Sequence, residues 1–357
     1  MDYANSMLEV IGDTPLLKLN RVGKDVDANI FVKLEHLNPS GSYKDRMALS
    51  MVEAAERGDT WNGKQLKEGG TVCDASAGNT APALAFVSAL KGYNIKLCSY
   101  SHFLHSEDKG KSVRLKIVDA YGADVYECPL PCDEVFDKLD TEKEKRYAVI
   151  LGGKNHMYQL EQENEDVVWV DQIYNMANVH GQEKMGHELY SQLDGNIDAW
   201  GASIGSGATF LGVTLALKEH GVEPYTYGVV PAGGTSLVDI SADIATSVEE
   251  MGRPPIRMKI VDLLGLKKWD TEDSIVERIY KMGYPDKWFE VTDDDARNMA
   301  NRLCQEEGIY CGMSSGANVY AALKIAEELG PGKNVATVIV DRRSRYLDEY
   351  PNDHYVV

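Results

Sequence analysis

Short runs of β-branched and apolar residues alternate along the whole chain with amphipathic segments of helical length, and this alternation limits the fold more than any other feature. The runs are ANIFVKLEH, GTVCDAS, NIKLCSY, ADVYECPL, YAVILGG, IDAWGASIG, TYGVVPAG and NVATVIVD. Between them lie DRMALSMVEAAERGD, NTAPALAFVSALKGY, KSVRLKIVDAYGA and DDDARNMANRLCQEEG, whose apolar residues recur at three- and four-residue spacing. Strands separated by helices cannot form hairpins and pair in parallel, so the reading is an α/β protein with parallel sheets. With 357 residues, of which 43% are hydrophobic, there is material for about two cores at roughly 150 residues each. The pattern thins between Gly152 and His187, where polar residues dominate, and restarts at IDAWGASIGSG, which places a domain crossing in that stretch. The polar stretch from Asp133 to Arg146 reads as a solvated helix or connector.

Charge narrows the partner. The 56 Asp and Glu against 37 Lys and Arg leave −19, which repels nucleic-acid phosphates and anionic lipid, so the expected partner is a small molecule. No run reaches the length of a membrane span, and MDYANSMLEV has neither the basic flank nor the apolar stretch of a signal peptide. The expectation is a cytoplasmic protein. Six cysteines (Cys73, Cys98, Cys128, Cys132, Cys304 and Cys311) are too sparse for a disulfide scaffold and are expected to be free thiols. Cys128 and Cys132 have no second pair or nearby histidine to complete a zinc site, so no metal is expected.

Three strand-to-helix junctions carry residues of chemical interest. In Asn38–Arg46 (NPSGSYKDR), Pro39 and Gly41 turn the chain, Ser42 can cap the helix, and Lys44 falls in its first turn. There the helix dipole disfavours a cation and lowers an amine's pKa, and a neutral amine can attack a carbonyl. Taken alone, such a lysine is usually an ordinary surface residue. Ser76-Ala77-Gly78-Asn79-Thr80 combines helix-start N–H groups with hydroxyl and amide side chains, a cradle suited to a carboxylate. Gly205-Ser206-Gly207-Ala208-Thr209 has the small residues that let backbone amides approach a phosphate. It is neither a Walker loop nor a dinucleotide fingerprint, since no Gly-Lys-Ser/Thr follows and the third glycine arrives late, at Gly212.

An amine, a carboxylate cradle and a non-nucleotide phosphate loop together suit an amino acid and a phosphorylated aldehyde. With GDTPLLKLN near the start, Asn175-Met176-Ala177-Asn178-Val179-His180 and the closing Arg345-Tyr346-Leu347, these motifs resemble the cysteine synthase and cystathionine β-synthase family of pyridoxal-phosphate enzymes, from about Gly12 to about Leu347. The resemblance implies fold type II: two three-layer α/β/α domains with mostly parallel sheets and the cofactor in the cleft. The larger domain would be 1–46 with 165–357, and 47–164 the smaller, mobile, carboxylate-binding one. It implies Lys44 as Schiff-base lysine, Gly205, Ser206, Gly207, Ala208 and Thr209 around the phosphate, and Asn79 at the ring hydroxyl. Ser76, Ala77, Thr80 and Gln172 would take the substrate carboxylate. Members are commonly homodimers.

The implied chemistry is removal of the α-proton by Lys44 and loss of the β-substituent to give a bound aminoacrylate. A nucleophile then adds to it, or water releases pyruvate and ammonia. O-acetylserine or O-phosphoserine with sulfide is the family default. Elimination, or replacement by another nucleophile, is the alternative, and a weakened regulatory paralogue is the non-enzyme one. Two departures bear on this. Ala77 stands where the family usually has a serine, which removes one hydroxyl near the carboxylate. Asp341-Arg342-Arg343-Ser344-Arg345 puts Arg342 at the place of the serine that faces the pyridine nitrogen, where a fixed cation would disfavour ring protonation. Ser344 and Asp341 are the alternatives for that place. His102 and His105 read as solvated loop residues, Pro231 to Thr235 as lining the cofactor site, and Gly312–Gly316 as packing beneath the ring.

Overall fold

The structure is a computed structural model and describes residues 3–76, 78–99, 113–232, 255–265 and 273–347. Ala77, His102, His105 and Gly233–Thr235 lie outside the described residues. The chain divides into two compact units: Met1–Met47 with Met176–Ala242 and Asp273–Arg343, and Ala48–Asn175 with Asp243–Glu272 and Ser344–Val357.

The first unit is built on a six-stranded sheet of β1 (Leu16–Lys18), β2 (Asn29–Lys33), β7 (Ala199–Ser203), β8 (Tyr225–Pro231), β9 (Lys287–Val291) and β10 (Asn334–Val338). The spatial order is β1-β2-β10-β7-β8-β9, and the β1–β2 pair alone is antiparallel. Successive strand residues serve opposite faces, as the period of two requires. Ala199, Val229 and Val335 join one core with Met299, Leu303, Val319 and Ile325, from helices Asp293–Glu307 and Met313–Leu329. Trp200, Val230 and Ala336 join the other with Met185, Leu189, Phe210 and Leu217, from helices Met176–Gln192 and Ala208–Glu219. Helices on both faces make three layers. Gly212 serves this packing: a Cβ there would lie 2.5 Å from the Val179 carbonyl oxygen of the neighbouring helix.

The second unit carries an all-parallel four-stranded sheet, ordered β5 (Asp124–Glu127), β4 (Asn94–Ser99), β3 (Thr71–Ala75), β6 (Val167–Trp169). All five residues of β3 are buried, as a central strand covered on both faces must be. The sequence boundary at 164/165 falls just before β6, which pairs with β3, and the contact boundary falls at Asn175/Met176.

One expected strand is a helix. YAVILGG lies inside Glu142–Glu163, whose start is fixed by a capping box in which Thr141 accepts from the Glu144 N–H and the Glu144 side chain accepts from the Thr141 N–H. Tyr147, Ala148 and Leu151 of the run are then the buried face of a 22-residue helix, a case that periodicity over seven residues cannot separate from a strand. The free-thiol expectation is also corrected, because Cys98 and Cys128 form a disulfide. They are 30 residues apart in sequence but sit at the ends of the paired strands β4 and β5, with the Cys128 N–H donating to the Ser99 carbonyl.

Candidate active site

In the first unit the lysine turn is held from several sides. Gly41 takes φ +95°, a left-handed conformation that favours glycine, and its N–H donates to the Asn38 carbonyl. Asp45 reaches back to accept from the Ser40 N–H and hydroxyl. Lys44 then opens helix Lys44–Arg57 and is buried, its N–H donating to the Ser42 hydroxyl at 3.4 Å. Its Nζ lies 4.8 Å from the centroid of the Tyr43 ring.

Tyr43 links the lysine turn to the glycine turn. Its side chain hydrogen-bonds Thr209, and its pKa is pushed well above the usual phenol value by burial first and by the Asp341 charge second. Thr209 lies in the first turn of helix Ala208–Glu219, which Gly207 caps at φ +86°. The left-handed backbone favours glycine here, and a Cβ would also come 2.6 Å from Ile279 Cδ1, which would have to shift. Gly205 is different, since it is exposed and a Cβ there meets no atom within 4 Å. Nothing in the fold requires glycine at 205, which is what a position kept bare for a bound group looks like. The first N–H groups of a helix have no intrahelical acceptor and point outward, and Ser206, bonded by Asn178 Nδ2, stands beside them. This turn fits a phosphate.

Two residues beyond Lys44, a buried ionic quartet anchors the same helix. Arg46 forms paired contacts to Glu35 (2.8 and 2.9 Å) and to Glu188 (2.6 and 2.7 Å), and Lys33 meets Glu188 at 2.6 Å. The GDTP segment closes over it: Thr14 donates to Glu35, and Asp13 N–H to Glu188.

The closing stretch after β10 also reaches this turn, where Ser42 bridges to Asp341 and the Arg342 N–H donates to the Gly41 carbonyl. Asp341 is buried, whereas Arg342 and Ser344 are exposed. The Arg342 guanidinium donates through Nε to the His36 carbonyl at 2.8 Å. The pKa of His36 falls to about 4, through burial first and the Arg342 charge second. Of the three residues weighed for the pyridine nitrogen, Asp341 is therefore the buried one. Gly316, at the end of the GMSSG segment, belongs to the packing, since a Cβ there would fall 2.0 Å from the Ala296 carbonyl oxygen.

In the second unit the Ser76–Thr80 loop follows β3. The Ser76 N–H donates to the Cys98 carbonyl, and its hydroxyl accepts from the Gly78 N–H. The Thr80 hydroxyl donates to Gln172 Oε1 at 2.5 Å, and Gln172 Nε2 reaches the Ala75 carbonyl. Thr80 and Gln172 are thus hydrogen-bonded to each other at the start of helix Thr80–Lys91, and Gln172 is also tied to Ala75, the residue before Ser76. Asp74 beneath it accepts from the Gln172 N–H and has its pKa raised to about 6 by burial, with the Lys154 cation opposing. Asn79 does not cap the helix with its side chain. It meets Arg345 and Tyr346 instead, two residues whose motif is visible in the sequence but whose partner, 266 and 267 positions away, is not.

Among the described residues no group of three or more His, Cys, Asp or Glu is placed to hold a metal ion. No helix among them is long and apolar enough to cross a membrane.

A sequence profile of the family described as "Pyridoxal-phosphate dependent enzyme" matches residues 7–341. The chain is 34% identical over 346 residues to the cysteine synthase of Staphylococcus aureus, covering 96% of this chain and 95% of that one. It is 32% identical over 351 residues to cysteine synthase 1 of Emericella nidulans, covering 97% and 84%. Among solved structures, cysteine synthase from Entamoeba histolytica superposes with a TM-score of 0.72 at 25% identity, covering 98% and 90%. The chain belongs to the family of pyridoxal-phosphate-dependent enzymes and has the fold of its cysteine synthases, two mostly parallel α/β sheets with helices on both sides.

Proposed function

We propose that the protein is a cysteine synthase, replacing the β-substituent of O-acetylserine or O-phosphoserine by sulfide. The observation that carries the reading is the join of the buried lysine turn to the glycine turn through Tyr43 and Thr209, beside a Gly205 that the fold itself does not require. Pyridoxal phosphate, when bound, supplies the electron-withdrawing ring that lets an α-proton leave and a β-substituent depart.

The chain's own groups have these roles. Lys44 Nζ is the group that would hold the cofactor aldehyde and, once released from it, would take the substrate's α-proton. Gly205, Ser206, Gly207, Ala208 and Thr209 hold the phosphate, and Asn79 the ring oxygen. Ser76, Ala77, Thr80 and Gln172 bind the substrate carboxylate. Arg342, with its guanidinium on the His36 carbonyl, stays at the edge of the cofactor site, and the charge of buried Asp341 acts on the Tyr43 phenol. The enzyme works in the cytoplasm as a homodimer.

The test is direct. Purified protein should absorb in the visible, and borohydride should bleach the band and fix the cofactor's mass on the peptide containing Lys44. Lys44→Ala should abolish both. With O-acetylserine and sulfide the product should be cysteine. Pyruvate formed at the same rate with or without sulfide would overturn replacement in favour of elimination.

A further inference from the structure

Asn79 carries a side chain whose two ends are chemically opposite, one accepting and one donating, and which end faces a ligand decides what that ligand can be. The asparagine does no local work as a helix cap, so its orientation must come from elsewhere in the fold. Arg345 supplies it. This arginine is 2% exposed and places Nη1 3.0 Å from Asn79 Oδ1. A guanidinium has donors and no acceptor, so it can face only the oxygen of the carboxamide. Asn79 Nδ2 is thereby turned the other way, with one of its hydrogens to the Tyr346 hydroxyl at 3.3 Å. Tyr346 is braced in turn by Arg114, whose guanidinium carbon lies 5.1 Å from the ring centroid. All four residues belong to the second unit.

We propose that Arg345 is a positioning residue for the cofactor: it pins the Asn79 carboxamide so that the amide end, a hydrogen-bond donor, is offered to an anionic ring oxygen. The inference rests on the functional reading above and adds a residue to it. Without the guanidinium, the carboxamide can turn over and present an oxygen, which repels the oxygen it should bind. Arg345 touches neither cofactor nor substrate in this account and acts through Asn79 alone.

That last point makes the idea testable by a double-mutant cycle read on cofactor affinity rather than turnover. Apo-protein of wild type, R345M, N79A and R345M/N79A is titrated with pyridoxal phosphate, following protein fluorescence and the position of the visible band. Loss of a charge-assisted orienting contact should weaken cofactor binding by about tenfold or more and shift the band in R345M, with N79A similar or worse. In the N79A background, R345M should have no further effect on either readout. Equal weakening by R345M in both backgrounds would overturn the proposal, since a merely structural arginine acts whatever stands at 79.

Should R345M not fold, R345Q keeps most of the volume and can present either an N–H or an oxygen to Asn79. It should give a partial loss that N79A again abolishes, and additivity would again refute. The variant N79D separates the two roles further, because its carboxylate keeps the Arg345 contact but cannot donate. Cofactor affinity should fall in N79D while apo-protein stability is kept, and an unchanged affinity would sink the donor argument. If wild type itself forms no borohydride-sensitive band, it is the functional reading that fails.

Discussion

Replacing Glu188 by glutamine removes one charge from the quartet beneath Lys44 and changes almost no volume. Two cations, Lys33 and Arg46, now balance two anions, Glu35 and Glu188, and the substitution would leave one positive charge in excess among side chains that are 0–15% exposed. The size of the penalty follows from the Glu188 carboxyl, whose pKa is brought from 4.5 to about 2. Burial works against its charge but is outweighed by the hydrogen bonds and charges of Arg46 and Lys33. Lys33 is the weaker contributor, since burial pulls its ammonium pKa down even beside Glu188. Roughly two and a half pH units at about 1.4 kcal/mol each give about 3.5 kcal/mol, within the ~3–5 kcal/mol typical for breaking a buried pair.

The sign with pH follows. A carboxyl whose folded pKa lies below its unfolded value contributes fully above the unfolded pKa, here 4.5, and loses that contribution as pH falls toward about 2. Urea unfolding of wild type and E188Q should therefore differ by about 3.5 kcal/mol at pH 7 and by about 0.8 kcal/mol less at pH 4. A difference under about 1 kcal/mol at pH 7, or one that grows on acidification, would refute the reasoning.

Two further outcomes are expected. Gly205→Ala should leave urea stability within about 0.5 kcal/mol of wild type yet weaken pyridoxal-phosphate binding, whereas Gly207→Ala should cost about 2 kcal/mol or more before any ligand is added, from its positive φ and the clash with Ile279; equal stability of the two variants would contradict the division of labour. Thiol titration of the denatured, unreduced chain should count four free cysteines, Cys73, Cys132, Cys304 and Cys311. Reduction should lower urea stability by about 3–4 kcal/mol for a closed loop of 30 residues, and six titratable thiols without reductant would rule the bridge out.

How far the sequence could be read depended on the range of the interactions involved. The alternation of strands and helices, the lysine at a helix start and the bare glycine turn all express local rules: side-chain period, turn stereochemistry, helix-end chemistry. YAVILGG failed because seven apolar residues fit a buried helix as well as a strand, and the deciding signal was the Thr141–Glu144 capping box just before them. Strands β1, β6 and β9, at three to five residues each, are too short for periodicity to mark.

Arg342 occupies the serine's place in an ungapped reading, but a side chain's direction is set by its backbone neighbours, and the bridges to Ser42 and Cys311 leave Asp341 inside and Arg342 out. The amino-acid sequence by itself thus determined the class of fold and the family, and it named the residues of the candidate site. Only the tertiary structure decided which cysteines meet, which charges neutralise one another around Arg46, and which way Asn79 faces, because those contacts join residues 11 to 266 positions apart and no local pattern encodes them.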